Sequence, residues 1–152
     1  MSLKNSNVAN KIPKTLEKNL NHKRIKKIYK NFEKNLKISK KFIVAVSGGP
    51  DSLALAFLAK IYSIKKKLIA KFFIVDHKLR KGSTKEAKKT QKILKTYFID
   101  TKILTWLGKK PLKNIQSIAR EKRYQLLFLE SDNLKINNIL LGHNKNDLFE
   151  NF

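Results

Sequence analysis

The chain is 152 residues long, 41% hydrophobic and 30% charged, which suits one domain with a real core and excludes wholesale disorder. Its 35 Lys and Arg against 11 Asp and Glu give a formal charge of +24, a field that attracts polyanions such as RNA. The lack of cysteine excludes disulfide frameworks, thiol catalysis, thiolate zinc and iron–sulfur clusters, and apolar runs of five or six residues fall far short of the roughly 20 that span a bilayer.

The first segment, Met1 to about Lys41, is rich in Lys and Asn and carries only Glu17 and Glu33 as acids. Ile25, Ile28, Phe32 and Leu36 recur at spacings of three and four, which predicts one helical face docked on the sheet that follows. The segment lacks both the Arg and Ser richness of an organelle-targeting peptide and the apolar region of a secretory one. Phe42 to Val46 reads as a fully buried strand, followed by the turn Ser47-Gly48-Gly49-Pro50-Asp51-Ser52 and a helix to about Tyr62. Leu68 to Val75 is a second buried strand, and Ser83-x-x-Glu86 has the form of a capping box opening a helix to about Phe98. Thr101 to Trp106 is a third strand, Asn114 to about Glu130 a third helix of the series, and Asn138 to Gly142 a fourth strand. A last helix is expected from near Lys145, and the chain stops at Phe152 about two turns into it.

Strands buried on both faces, each followed by a helix, predict an α/β fold: an open parallel sheet with right-handed crossovers and helices on both faces. Ligands of such sheets sit at the carboxyl ends of the strands. Ser47 to Ser52, Asp76-His77, the loop after Trp106, and His143 all fall there.

In the first turn, Gly48 and Gly49 let the backbone approach a ligand, and the helix N-terminus behind them offers N–H groups to phosphate oxygens. Ser47 and Ser52 add hydroxyls, and Pro50 pre-sets the start of the helix. Asp51 beside phosphates requires a cation, for which Mg²⁺ is the natural candidate. On the helix after Asn114, Arg120, Arg123 and Tyr124 share a face suited to phosphate and base contacts. His143, Asp147 and Glu150, at intervals of four and three, put an imidazole and two carboxylates on one face at the head of the last helix. An ordinary capped turn, a solvated helix surface and a helix-capping cluster are the respective structural alternatives.

The loop lacks the pattern of a dinucleotide fingerprint or a Walker loop. It resembles the Ser-Gly-Gly-x-Asp-Ser signature of the PP-loop ATP pyrophosphatases, whose Rossmann-like fold grips the pyrophosphate end of ATP and transfers AMP to a substrate oxygen. Taken in order with Asp76-His77, Leu79-Arg80, Ala119-Arg120-Glu121, Arg123-Tyr124, and His143 with Asp147 and Glu150, it resembles the N-terminal catalytic domain of the tRNA(Ile)-lysidine synthetases. The resemblance runs from about Phe42 to Phe152. It implies a cytoplasmic ligase that adenylates the wobble cytidine of tRNA(Ile) and joins free lysine to it, with ATP and Mg²⁺ as cofactors and no membrane partner.

On this resemblance Ser47, Gly48, Gly49, Pro50, Asp51 and Ser52 bind the nucleotide, and Asp51 and Asp147 hold Mg²⁺. Arg120 steadies the phosphates or the adenylated base, and His143 and Glu150 bind or deprotonate the incoming lysine. Asn144, Asn146 and Leu148 depart from the family pattern of His-His, Asp-Asp and Gln. Residues 1–40 are expected to form a Lys-rich, partly helical extension, and residues 41–152 an ATP-binding domain that is incomplete at its C-terminal end. Whether it forms a homodimer is left open. Other PP-loop enzymes (a tRNA thiolase, a GMP or NAD synthetase) and a non-catalytic nucleotide- or RNA-binding fragment are the rival readings.

The basic charge by itself does not decide for RNA. Only Arg24, Arg80, Arg120 and Arg123 are arginine, and Lys, Asn and Ile are also the residues of AT-rich codons. Three of the four Arg residues nevertheless lie inside the motifs.

Overall fold

The computed structural model describes residues 11–142. The chain begins with two short helices, α1 (Lys14–Leu20) and α2 (Lys23–Asn35), followed by β1 (Lys41–Val46), α3 (Pro50–Lys66) and β2 (Ile69–Asp76). Next come α4 (Ser83–Thr96), β3 (Thr101–Thr105), α5 (Ile115–Leu134) and β4 (Ile139–Leu141).

All four strands are parallel, in the order β3-β2-β1-β4. Val44 lies between Phe72 of β2 and Leu140 of β4, and Phe72 opposes Thr101 of β3. The chain first steps outward from β1 through β2 to β3, then returns to the other side of β1. That reversal requires the crossover helices to lie on opposite faces of the sheet. Alternate residues of β1 divide accordingly. Phe42, Val44 and Val46 join Phe72, Ile74, Ala56 and Leu94 under α3 and α4, while Ile43 and Ala45 join Phe73, Leu104 and Leu127 under α5. The open parallel sheet with helices on both faces is therefore observed.

Helices α1 and α2 extend the first of these cores, burying Leu16, Leu20 and Tyr29. The expected helical face needs one correction. Ile25, Phe32 and Leu36 pack against the core, but Ile28 is 56% exposed and Tyr29, 2% exposed, takes the inward position. At 100° per residue, 25, 29, 32 and 36 make a tighter stripe than a set containing 28. Tyr29 is further held by its hydroxyl donating to Glu33 Oε1 at 3.3 Å and by Lys65 Nζ 4.5 Å from its ring centroid.

The helices α3 and α5 each run about one turn beyond their expected ends, closed by Lys67 and Lys135 in the left-handed conformation. The predicted capping box is also corrected. Gly82, at φ +91°, occupies the cap position of α4, and no side chain caps that helix. Ser83 and Glu86 are engaged elsewhere. The helix expected from Lys145 lies outside the described residues. No helix among the described residues is long and apolar enough to cross a membrane.

Candidate functional site

The carboxyl ends of β1 and β4 mark the point where the strand order reverses, the place where open α/β sheets form a crevice. The turn from β1 into α3 is tied together by one side chain. Ser52, 3% exposed, accepts hydrogen bonds through its Oγ from the N–H groups of Ser47 and Gly48, each at 3.2 Å, and from Ser47 Oγ at 3.1 Å. It donates in turn to the carbonyl of Gly49 at 2.9 Å. Its hydroxyl thus shapes the loop, with its own proton directed to Gly49. No side chain among the described residues caps α3, and its first-turn N–H groups, which lack intrahelical partners, are of the kind that bind an anion.

The two glycines of the turn serve different ends. Gly48 has φ +91°, and a Cβ there would come within 2.5 Å of Thr90 Oγ1 on α4. Gly49 has φ −72°, and a Cβ would meet nothing closer than Ser47 Oγ at 3.8 Å. Nothing among the described residues demands glycine at 49, and its bare side suits close approach of a ligand. Gly142, at the end of β4, closes the loop from the other side. A Cβ there would lie 2.7 Å from Ser52 Cα and 2.9 Å from its backbone nitrogen.

The end of β2 supplies a second tied turn. Asp76, 2% exposed, accepts from Ser83 Oγ at 2.6 Å, from Thr84 Oγ1 at 2.5 Å and from the Lys78 N–H at 3.1 Å. Burial alone would raise its carboxyl pKa, but these donors outweigh it and hold the group below the ordinary carboxylate value. The next residue, His77, accepts the Leu79 N–H at Nδ1, 3.2 Å away. Burial and the neighbouring Arg123 push its pKa below the ordinary histidine value, against the pull of Asp76.

These elements enclose a cleft of about 380 Å³ whose polar walls include Ser47, Ser52, His77, Arg80, Arg120 and Arg123. That volume lies within the range of small-molecule sites. Glu86, the one acid among the described residues that line the cleft, is paired with Arg80. Arg120 also lies over the Tyr124 ring, 5.4 Å from its centroid, and Tyr124 stacks on Phe128 at 6.0 Å. Three guanidiniums, an imidazole and helix N–H groups without intrahelical partners suit the cleft to a phosphorylated ligand.

The structure therefore brings Ser47, Ser52 and Arg120 to one cleft, with Gly48, Gly49, Pro50 and Asp51 forming the loop at its edge. Asp51 is an exposed carboxylate in the first turn of α3. As a hard oxygen donor beside an anion site it fits Mg²⁺, which takes one or two carboxylates together with substrate phosphates and water. His143, Asp147 and Glu150 lie outside the described residues, so only Gly142, which precedes them, is placed against the loop. Sequence reasoning missed the roles of Asp76, Thr90 and Gly142. Of these, Asp76 stands out in the sequence beside His77 at a strand end and Gly142 as a glycine that ends an apolar run, while Thr90 carries no signal.

A family described as a PP-loop domain matches residues 17–152. The chain is 42% identical to the tRNA(Ile)-lysidine synthase of Bartonella henselae over 116 residues, covering 74% of this chain and 23% of that protein. It is 43% identical to the same enzyme of Bartonella quintana, covering 74% and 24%. For that of Orientia tsutsugamushi the identity is 38%, covering 80% and 26%. The chain thus spans about a quarter of the length of these relatives. Among solved structures it is similar to the U34-tRNA thiolase NcsA from Methanococcus maripaludis with its 4Fe–4S cluster, at a TM-score of 0.65 and 25% identity, covering 79% of this chain and 46% of that one.

Proposed function

The chain belongs to the PP-loop domain family, and from that premise we propose that it is the ATP-using part of a tRNA(Ile)-lysidine synthetase acting in the cytoplasm. The observation that carries this reading is the 38–43% identity to three enzymes of that name over about three quarters of the chain. The cleft is consistent with it, since three Arg residues line a nucleotide-sized space beside a loop built for phosphate.

In this reading the loop N–H groups and Ser47 hold the pyrophosphate end of ATP, on a backbone that Ser52 shapes. The cytidine O2 attacks the α-phosphorus, the bond to pyrophosphate breaks, and Arg120 stabilises the charge spread over the phosphoryl oxygens. Lysine then adds through its neutral ε-amine to C2 of the adenylated base. The C2–O bond breaks and AMP leaves with the oxygen, while the amine gives up a proton. His143 and Glu150 are the groups proposed to receive the amine and its proton. Asp51 and Asp147 are the residues that would hold Mg²⁺, which would supply charge compensation for the departing pyrophosphate.

The solved thiolase is the specific finding that favours a rival, RNA thiolation. Its cluster chemistry relies on cysteine thiolates, and this chain carries no cysteine. The decisive assay mixes the protein with ATP, lysine and an isoleucine tRNA with a wobble cytidine. AMP release should require both tRNA and lysine, and Arg120→Ala should slow it about 100-fold, as loss of a charge-stabilising donor does. Nucleotide binding with no pyrophosphate release would instead mark a non-catalytic binding module.

A further inference from the structure

The geometry points to His77 as a ligand-contacting residue whose Nε2–H is a fixed, neutral donor to a phosphate oxygen of the nucleotide. The inference rests on the ATP reading above and adds to it a residue to which neither the motif roles nor the family match gives a part.

His77 is the first residue beyond β2, half-buried on the wall of the cleft with Ser47, Arg80, Arg120 and Arg123. Because Val46 pairs with Ile74, Ser47 stands level with Val75, and His77 lies two residues further along the adjacent strand path. Neighbouring strands are ~4.8 Å apart, so a phosphate cradled by the β1–α3 loop is bordered by the β2 end. The ring is oriented by the Leu79 N–H, which points at Nδ1, and Leu79 is itself 2% exposed. An imidazole that accepts at Nδ1 carries its proton at Nε2 when neutral. A second proton at Nδ1 would confront the Leu79 N–H with another donor. Arg123 and Arg80 also oppose that proton, while Asp76 and Glu86 favour it less strongly.

His77 therefore differs in kind from the guanidiniums around it. It adds a directed hydrogen bond without adding charge. It also has no free lone pair with which to take a proton from lysine, so general-base work falls to other residues.

Two substitutions separate contact with the nucleotide from support of the loop. His77→Asn retains an acceptor near Nδ1 and loses the distal donor, whereas His77→Gln retains a distal donor and loses the acceptor. Calorimetric titration with ATP in Mg²⁺ should show His77→Asn weakened about tenfold, the usual cost of one hydrogen bond to a charged group, and His77→Gln within about threefold of wild type. Equal affinity in all three proteins, or a weaker His77→Gln than His77→Asn, would overturn the assignment. A wild-type chain that binds no ATP overturns the ATP reading itself, which is a distinguishable result. A long-range ¹H–¹⁵N spectrum of the wild-type protein reads the ring without mutation. The expected result is an unprotonated Nδ1 and an Nε2 proton whose exchange slows on adding ATP, and a protonated Nδ1 contradicts the proposal.

Discussion

The turns that follow β1 and β2 solve one problem with opposite chemistry. Each leads from a strand into a helix that no side chain among the described residues caps, and each contains a glycine at φ +91°, Gly48 in the first and Gly82 in the second. In the first, a helix hydroxyl, Ser52, reaches back to gather strand-side N–H groups. In the second, a strand carboxylate, Asp76, reaches forward to gather helix hydroxyls. The Ser52 hub is itself neutral, and the β1–α3 turn keeps a positive helix end beside the exposed Asp51. The second turn has its own anion built in, at Asp76. The β1–α3 turn is therefore the one proposed to hold phosphate, with the β2–α4 turn as the wall that borders it.

Four substitutions, ordered by expected effect on stability in chemical denaturation, press on that contrast. Gly48→Ala combines a left-handed backbone with a 2.5 Å approach to the buried Thr90, and should cost about 3–4 kcal/mol. Asp76→Ala strands two hydroxyls and an N–H around a buried site, and should cost about 3 kcal/mol. Ser52→Ala removes the hub of the first turn, at about 2 kcal/mol, and should weaken ATP binding as well, since the backbone it holds in shape borders the cleft. Gly82→Ala meets nothing within 4 Å, so only the backbone strain of about 1 kcal/mol should appear. Equal costs at Gly48 and Gly82 would show that Thr90 does not buttress the first turn.

The two hubs should also part company in acid. Asp76 has a depressed pKa in the folded chain, so it contributes stability above the unfolded value of about 3.9, lost as pH falls through its folded value. Asp76→Asn should flatten that acid limb of the stability profile, whereas Ser52→Ala should leave its shape unchanged. Denaturation midpoints measured from neutral pH downward provide the check.

The strands and their parallel arrangement were legible because each is a short apolar run followed by a helix, although only β1 is buried along nearly its whole length. The β1–α3 turn was legible because glycines beside a helix start have a direct physical use. What escaped were choices between partners. Ser83 and Glu86 have the form of a capping box, but the Asp76 carboxylate outcompetes a backbone N–H for the Ser83 hydroxyl, and Arg80 draws Glu86 away. Ile28 is as apolar as Tyr29, yet only Tyr29 finds both a buried ring position and a partner for its hydroxyl. Thr90 gave no signal, because its role arises only when α4 lies against the first turn.

The contact of Gly142 with Ser52 also has a bearing on how the protein is made. Residues about 90 positions apart must meet before the β1–α3 turn is closed by Gly142, and Ile43 likewise waits for Ile139. Pairings of such long range are slow to form. On a ribosome adding 5–20 residues per second, roughly 5–20 s separate synthesis of the loop from that of the strand that closes it. During that interval β1 lacks its β4 neighbour and presents an open edge to other nascent chains. The same glycine that lets β4 seat against the loop thus sets the moment at which the exposed edge of β1 is covered.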